Sequence, residues 1–221
     1  MTEAKPHYNV LIATPGHSMK AEYVRSLVET CAWLSEEDCT YKLLNKYSSF
    51  VPSARELTAT NTYSHNWQTR QIGCGEFTYD KIFWIDSDIE WTVEDFAKLF
   101  DSDLDIVSGL YQTSPDGTVA VNFPDDQGRP TKVNKVEFLL HDEPVKVGGV
   151  GFGFVAMKFG VFEAMERPWF LINRVKWDDV DFYTNVGEDY SWCASAQRAG
   201  FDIWVNPQVK VLHHKETVYI V

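Results

Sequence analysis

Lys81-Ile82-Phe83-Trp84-Ile85-Asp86-Ser87-Asp88 sets an apolar run directly against an acidic pair. The stretch Lys81 to Ile85 shows no polar alternation. That is the pattern of a strand covered on both faces, hence of a central strand in a layered α/β sheet. Working outward, Tyr8 to Ala13 reads as a first buried strand, ended by the loop Thr14-Pro15-Gly16. Tyr23, Val24, Leu27, Val28, Cys31 and Leu34 recur at helical spacing, predicting a helix over about Lys20 to Leu34. Tyr41 to Leu44 reads as a second strand. Pro52-Ser53-Ala54-Arg55-Glu56 reads as a helix start, with Ser53 as cap and Glu56 three residues on, as in a capping box. Beyond the acidic pair, Thr92-Val93-Glu94-Asp95 opens a helix running to about Phe100, and Asp105 to Leu110 is a further strand. Strands alternating with helices argue for a largely parallel sheet in an α/β, Rossmann-like architecture flanked by helices.

The second half changes character. Ser114-Pro115-Asp116-Gly117 signals a turn, and Val133 to Leu140 and Pro144 to Val147 read as antiparallel strands. A glycine-dense stretch, Gly148 to Phe154, follows; its spacing is not that of a dinucleotide fingerprint, and its glycines permit close backbone approach. A helix is expected over Val161 to Glu166, stopped by Pro168, and another over Glu188 to Ala199, stopped by Gly200. Ile203 to Val205 and Val209 to Leu212 read as closing strands. No repeat or linker divides the chain, so one domain is expected, with 1–112 and 113–221 as its two halves.

The 221 residues carry a formal charge of −12 and 44% hydrophobic side chains, enough for a sizeable core. Such acidity disfavours nucleic acid and anionic membrane surfaces, both of which need clustered Lys and Arg. Cys31, Cys39, Cys74 and Cys193 show no zinc spacing and read as free thiols. With no apolar leader and no run long enough to cross a bilayer, a soluble cytoplasmic protein is expected, either whole or as one domain of a longer chain.

In an open α/β sheet, ligands sit beyond the carboxyl ends of the strands, where Asp86 and Asp88 fall. If the segment stays extended, both carboxylates face one way and can share an ion. Hard oxygens suit Mg²⁺ or Mn²⁺. Two like charges about 4 Å apart repel by roughly 4 kcal/mol at an effective dielectric of 20, so an anionic ligand would need a cation here. Asp101-Ser102-Asp103, Asp103-Leu104-Asp105 and Asp179-Val180-Asp181 share the spacing but follow no apolar strand, and read as solvated turns. Glu188 and Asp189 stand in a first helical turn, where the dipole favours their anions and weakens them as bases. Strand alternation puts His213 on the face of Val209 and Val211. Trp169, Trp177 and Asp178-Asp179 are candidates for lining a ligand site, since aromatic faces suit flat rings.

Phe83 to Trp91, with Asp86-Ser87-Asp88 at its centre, resembles the DxD region of GT-A glycosyltransferases, nearest the small bacterial, phage and viral members related to family 2. The likeness extends over most of the chain. It implies a nucleotide-sugar transferase with a UDP- or GDP-linked donor, Mn²⁺ or Mg²⁺, and a glycan or glycoprotein acceptor. Thr14-Pro15 is similar to the nucleotide-contacting loop. Ser53-Ala54-Arg55 resembles the Ala-Arg-Asn segment, with Arg55 near the nucleotide or diphosphate and Glu56 in place of the usual Asn. The resemblance further implies Asp86, Ser87 and Asp88 at the donor, and His213 as a metal ligand with Asp86 and Asp88. It places the segment around Gly149 beside donor sugar and acceptor, and Lys215 near the diphosphate. It makes Asp189 the base of an inverting transfer, with Glu188 beside it. The competing reading is a non-catalytic nucleotide-sugar or glycan-binding module of the same fold. A sugar nucleotidyltransferase fits less well: it needs a glycine-rich basic loop near the N-terminus, where His7 to Ala21 offers only Gly16 and Lys20.

Overall fold

The computed structural model describes residues 4–63, 69–179 and 181–215. Seven strands form the main sheet: β1 (His7–Ala13), β2 (Tyr41–Leu44), β3 (Thr78–Ile85), β4 (Ile106–Leu110), β5 (Val145–Val147), β6 (Phe154–Lys158) and β7 (Ile203–Lys210). Their spatial order is β2-β1-β3-β6-β4-β7-β5. β1, β2, β3, β4 and β7 run parallel; β6 in the middle and β5 at one edge run against them. Among the described residues four α-helices accompany the sheet: α1 (Ala21–Glu36), α2 (Val51–Thr60), α3 (Val93–Phe100) and α4 (Glu188–Arg198).

The unbroken apolar runs follow from coverage on both faces. Leu11, Ala13, Ile82 and Trp84 pack into one core with Phe152, Phe162, Trp169 and Trp192. Val10, Ile12, Phe83 and Ile85 pack into the other, with Tyr23 and Leu34 of α1 and Phe96 and Leu99 of α3. Phe83 stacks on Phe96 with ring centroids 4.0 Å apart. The one lysine of the deciding stretch serves helix α3. Lys81 Nζ donates to the carbonyls of Leu99 (3.3 Å), Phe100 (2.5 Å) and Ser102 (2.7 Å), groups a helix C-terminus leaves unsatisfied. Lys81→Met is expected to cost about 2 kcal/mol, given the value of hydrogen bonds to charged groups; urea denaturation would read it.

Most of the expected elements are present, and several boundaries differ for identifiable reasons. Thr92 caps α3 in a capping box with Asp95. Ser53 does not cap α2: the helix starts earlier, at Val51, with Phe50 as N-cap, and Glu56 is drawn into the core. Val133 to Leu140 gives only a short strand, Val133–Asn134, because the Asn134 side chain caps a 3₁₀ turn over Lys135–Phe138. Val161 to Glu166 forms successive turns, too short a run between Gly160 and Pro168 to nucleate a helix. The two closing strands join in β7, with an irregularity after Val205, and Leu212 belongs instead to a short ribbon with Ile89–Glu90. The central strand β6 escaped notice, because its apolar run follows so many glycines. The cysteines are free, as expected.

Candidate active site

Four strand ends and one strand start meet on one side of the sheet. β1 delivers Pro15 and Gly16, β3 delivers Asp86 to Asp88, β4 delivers Tyr111, and β7 leads to His213; the glycines before β6 close the group. Asp86 N donates to the Gly153 carbonyl at 3.0 Å, which ties the acidic turn to that glycine segment. Gly151 and Gly153 leave room for the Tyr111 ring: an added Cβ would come within 2.2 Å of its hydroxyl at Gly151 and 2.7 Å at Gly153. Gly153 N donates to that hydroxyl at 3.0 Å.

Asp86 and Asp88 do not face the same way. Residues 86–89 form a turn, closed by Ile89 N donating to Asp86 O at 3.1 Å, and this overrides the alternation of an extended strand. Asp86 turns toward Arg55, with Nη1 to Oδ1 at 3.3 Å. The same guanidinium lies 3.4 Å from Asp189 and 3.6 Å from Glu188. Arg55 is thus a buried cation, its side chain 4% exposed, among three carboxylates, and it also rests over the Phe152 ring. Burial opposes its charge, but Asp189, Asp86 and Glu188 more than offset this and raise its pKa. The cluster retains a formal charge of −2. Its contacts are loosely aimed: Arg55 Nε and Nη1 and Asp189 Oδ1 lack directed hydrogen bonds within the protein.

Asp189 departs from the helix-dipole expectation. Burial raises its pKa from 3.8 to about 6, against the pull of Arg55 and with help from Asp86 and Glu188. Desolvation therefore outweighs the N-terminus of α4. Phe152 N donates to Asp189 Oδ2 at 3.3 Å and orients the carboxylate.

Asp88 turns the other way, its Oδ2 3.1 Å from His213 Nε2. A two-stranded ribbon, Leu212–His213 against Ile89–Glu90, holds them together, and His214 N donates to Asp88 O at 2.9 Å. His213 Nδ1 sits 3.0 Å from the Gln112 carbonyl. Both ring nitrogens thus face acceptors, so both partners are satisfied only by the imidazolium. The Asp88 hydrogen bond accordingly raises the His213 pKa, and despite burial the same bond holds Asp88 below its usual range. A divalent ion can stand where the Nε2 proton stands, between a carboxylate and an imidazole oriented from its far nitrogen. Among the described residues, no three His, Cys, Asp or Glu converge as a ready ligand set. Asp88 and His213 fit such an ion as two protein donors, with other positions left for a ligand and water. His214 is occupied elsewhere, at 2.7 Å from Glu90.

Two cavities flank this wall, and Asp86 and His213 border both. One, about 430 Å³, is lined by Pro15, Gly16, Tyr47, Ser48, Arg55 and Ser87 among others. The other, about 410 Å³, contains Asp189, Tyr111, Thr118, Lys132, Gly151 and Tyr190. Several anticipated residues sit differently. Thr14 is fully buried with its hydroxyl on Tyr23, so the first loop meets the cavity through Pro15 and Gly16. Gly149 packs tightly against Asn122, Tyr190 and Cys193; Gly151 instead borders the cavity that contains Asp189. Lys215 donates to the Thr113 carbonyl, in a separate depression. Trp169 is a core residue, 3% exposed, its indole donating to Phe162 O at 3.0 Å. Glu56 accepts from Arg167 Nε at 2.8 Å and Trp169 N at 3.0 Å, anchoring α2 beside Arg55. Tyr111 and Gln112 were not anticipated; a tyrosine after a strand carries no local signal of what it supports.

Neither a protein-family model nor a curated protein sequence matches the chain. Solved structures do. A197 from STIV is 17% identical over 96% of this chain and 97% of that one, with a TM-score of 0.51. GalNAc-T7, solved with UDP, GalNAc and Mn²⁺, is 12% identical over 96% of this chain but 44% of its own length, with a TM-score of 0.56. At such identities the likeness speaks for the fold: a mixed α/β sheet of the GT-A, nucleotide-diphospho-sugar transferase type.

Proposed function

With the GT-A fold as premise, we propose that the chain transfers a glycosyl group from a nucleoside-diphosphate sugar to a hydroxyl of a glycan or glycoprotein, with inversion. The observation that carries this is the shared wall: Asp86 and His213 border two cavities, one containing Pro15, Gly16 and Ser87, the other Asp189. The first takes the donor and the second the acceptor, so the hydroxyl approaches the anomeric carbon opposite the leaving diphosphate.

Asp88 and His213 would hold Mn²⁺ or Mg²⁺, with Asp86 nearby. When bound, such an ion supplies Lewis-acid stabilisation of charge on the leaving diphosphate. Arg55 holds Asp86 and Asp189 in place, and Phe152 N aims the latter. Asp189 takes the acceptor proton as the new C–O bond forms and the anomeric carbon–phosphate oxygen bond breaks. A base near pKa 6 is ionised at neutral pH yet retains useful proton affinity.

Two measurements test the reading. In thermal shift, UDP- or GDP-sugars should stabilise the protein in the presence of Mn²⁺ and little without it. A ligand at a hundred times its Kd adds about 2.7 kcal/mol, and His213→Ala should erase the metal-dependent part. Failure of every nucleotide sugar to shift the melt with Mn²⁺ would overturn the donor assignment. In kinetics, kcat should fall about tenfold per pH unit below pH 6 as Asp189 protonates. A flat acid limb, or retention at the anomeric centre by NMR, would remove Asp189 as the base.

A further inference from the structure

A third cavity, about 180 Å³, adjoins the acceptor side and shares Pro130 and Tyr190 with it. The hairpin Asn173–Lys176/Tyr183–Val186 forms one of its walls and α4 another. The hairpin is fixed at both ends. At its base, Asn173 N donates to Ser191 Oγ at 3.2 Å; at its tip, Asp179 meets Arg129 at 2.5 Å. The hollow is thus framed by contacts within the fold.

Its chemistry is specific. Trp177 and Tyr190 supply aromatic surface, and Asn122, Asn173, Gln197 and Arg198 supply amide and guanidinium groups. Among the described residues no carboxylate lines the hollow, in a chain of net charge −12. A flat apolar face ringed by planar donors and acceptors suits a sugar ring, which offers C–H faces and equatorial hydroxyls. The volume falls below the 300–1,000 Å³ typical of drug-sized ligands, so one ring is the fitting occupant.

We infer that this hollow is a second carbohydrate subsite, and that the acceptor is a glycan of at least two residues. One sugar presents its hydroxyl to Asp189 while its neighbour passes Tyr190 to lie on Trp177. This rests on the transferase reading above for its direction. The subsite itself does not depend on turnover.

The test uses the intact chain and saturation-transfer NMR with cellobiose, lactose, maltose and chitobiose, each beside its component monosaccharides. Concentrations of about 10 mM register dissociation constants in the millimolar range. At least one disaccharide is expected to bind about tenfold more tightly than its monosaccharides. Trp177→Ala should reduce that ratio to near one, with monosaccharide binding unchanged; Gln197→Ala, on α4, should lower it in part. Thermal shift with UDP or GDP and Mn²⁺ on the same variants serves as the control and should match the parent protein. An unchanged ratio in Trp177→Ala, or no saccharide binding at all, overturns the subsite. So does binding of a serine- and threonine-containing peptide that depends on Trp177 when no saccharide binds. Absence of any shift with either UDP or GDP in the presence of Mn²⁺ in the parent, with disaccharide binding intact, would sink the donor reading and leave the subsite standing.

Discussion

Asp189→Asn is expected to lower transfer by about 10²–10⁴-fold, the range for a positioned general base, and to make the folded protein more stable at neutral pH. The two effects share one cause. The carboxyl has an ordinary pKa of 3.8 and is raised to about 6 chiefly by burial. Protons therefore bind the folded chain more tightly than the unfolded one. The stability this brings is complete below about pH 4 and is lost as pH rises through 6. Above that, keeping Asp189 ionised costs on the order of 1–3 kcal/mol, its partial exposure to the cavity reducing the figure. Asparagine removes that cost, while Arg55 retains Asp86 and Glu188 as partners. Initial rates and melting curves at pH 7 and 8 on one preparation would check both. For a non-catalytic binding module, neither parent nor variant turns over, and only the stability change remains. A variant with parental rates would exclude Asp189 as base; a less stable one would mean that its pairing with Arg55 outweighs its desolvation.

Arg55→Met carries the largest expected effect on folding, a loss of about 3–5 kcal/mol in urea denaturation at neutral pH. The substitution leaves Asp86, Glu188 and Asp189 crowded together without their cation. The deficit should shrink as pH falls and the carboxyls take up protons. Arg55→Lys should recover only part of it, because one ammonium cannot span three carboxylates as a planar guanidinium does. A loss below about 1 kcal/mol would show that the cluster is held apart by other means.

How far this could be read from sequence depends on whether the signal was local. The apolar strand before Asp86, the helical period of α1 and the Thr92 cap are local, and they placed the sheet and its functional edge. Strand β6 was hidden because its glycine-rich approach looks like loop, while its partners β3 and β4 lie far away in sequence. The acidic residues were recognisable by position, but their directions were not. A turn at residues 86–89 separates Asp86 from Asp88, and only the assembled structure brings Arg55 of α2 against Glu188 and Asp189 of α4. The pKa of Asp189 illustrates the same limit. Its helix position argues for a strong acid, whereas burial, aided by Asp86 and Glu188, outweighs Arg55 and the Phe152 amide and makes it a weak one.

The placement of β6 also bears on synthesis. During translation β3 and β4 emerge well before the strand that must lie between them, so two apolar edges have no partner until Lys158 leaves the ribosome. Unsatisfied edges of this kind invite intermolecular pairing, so nascent chains stalled short of that residue would be prone to aggregate. By the same logic, a polypeptide cut at the Ser114–Gly117 turn would yield two pieces that are each incomplete but interlock, which makes this position a natural one for a split-protein reporter.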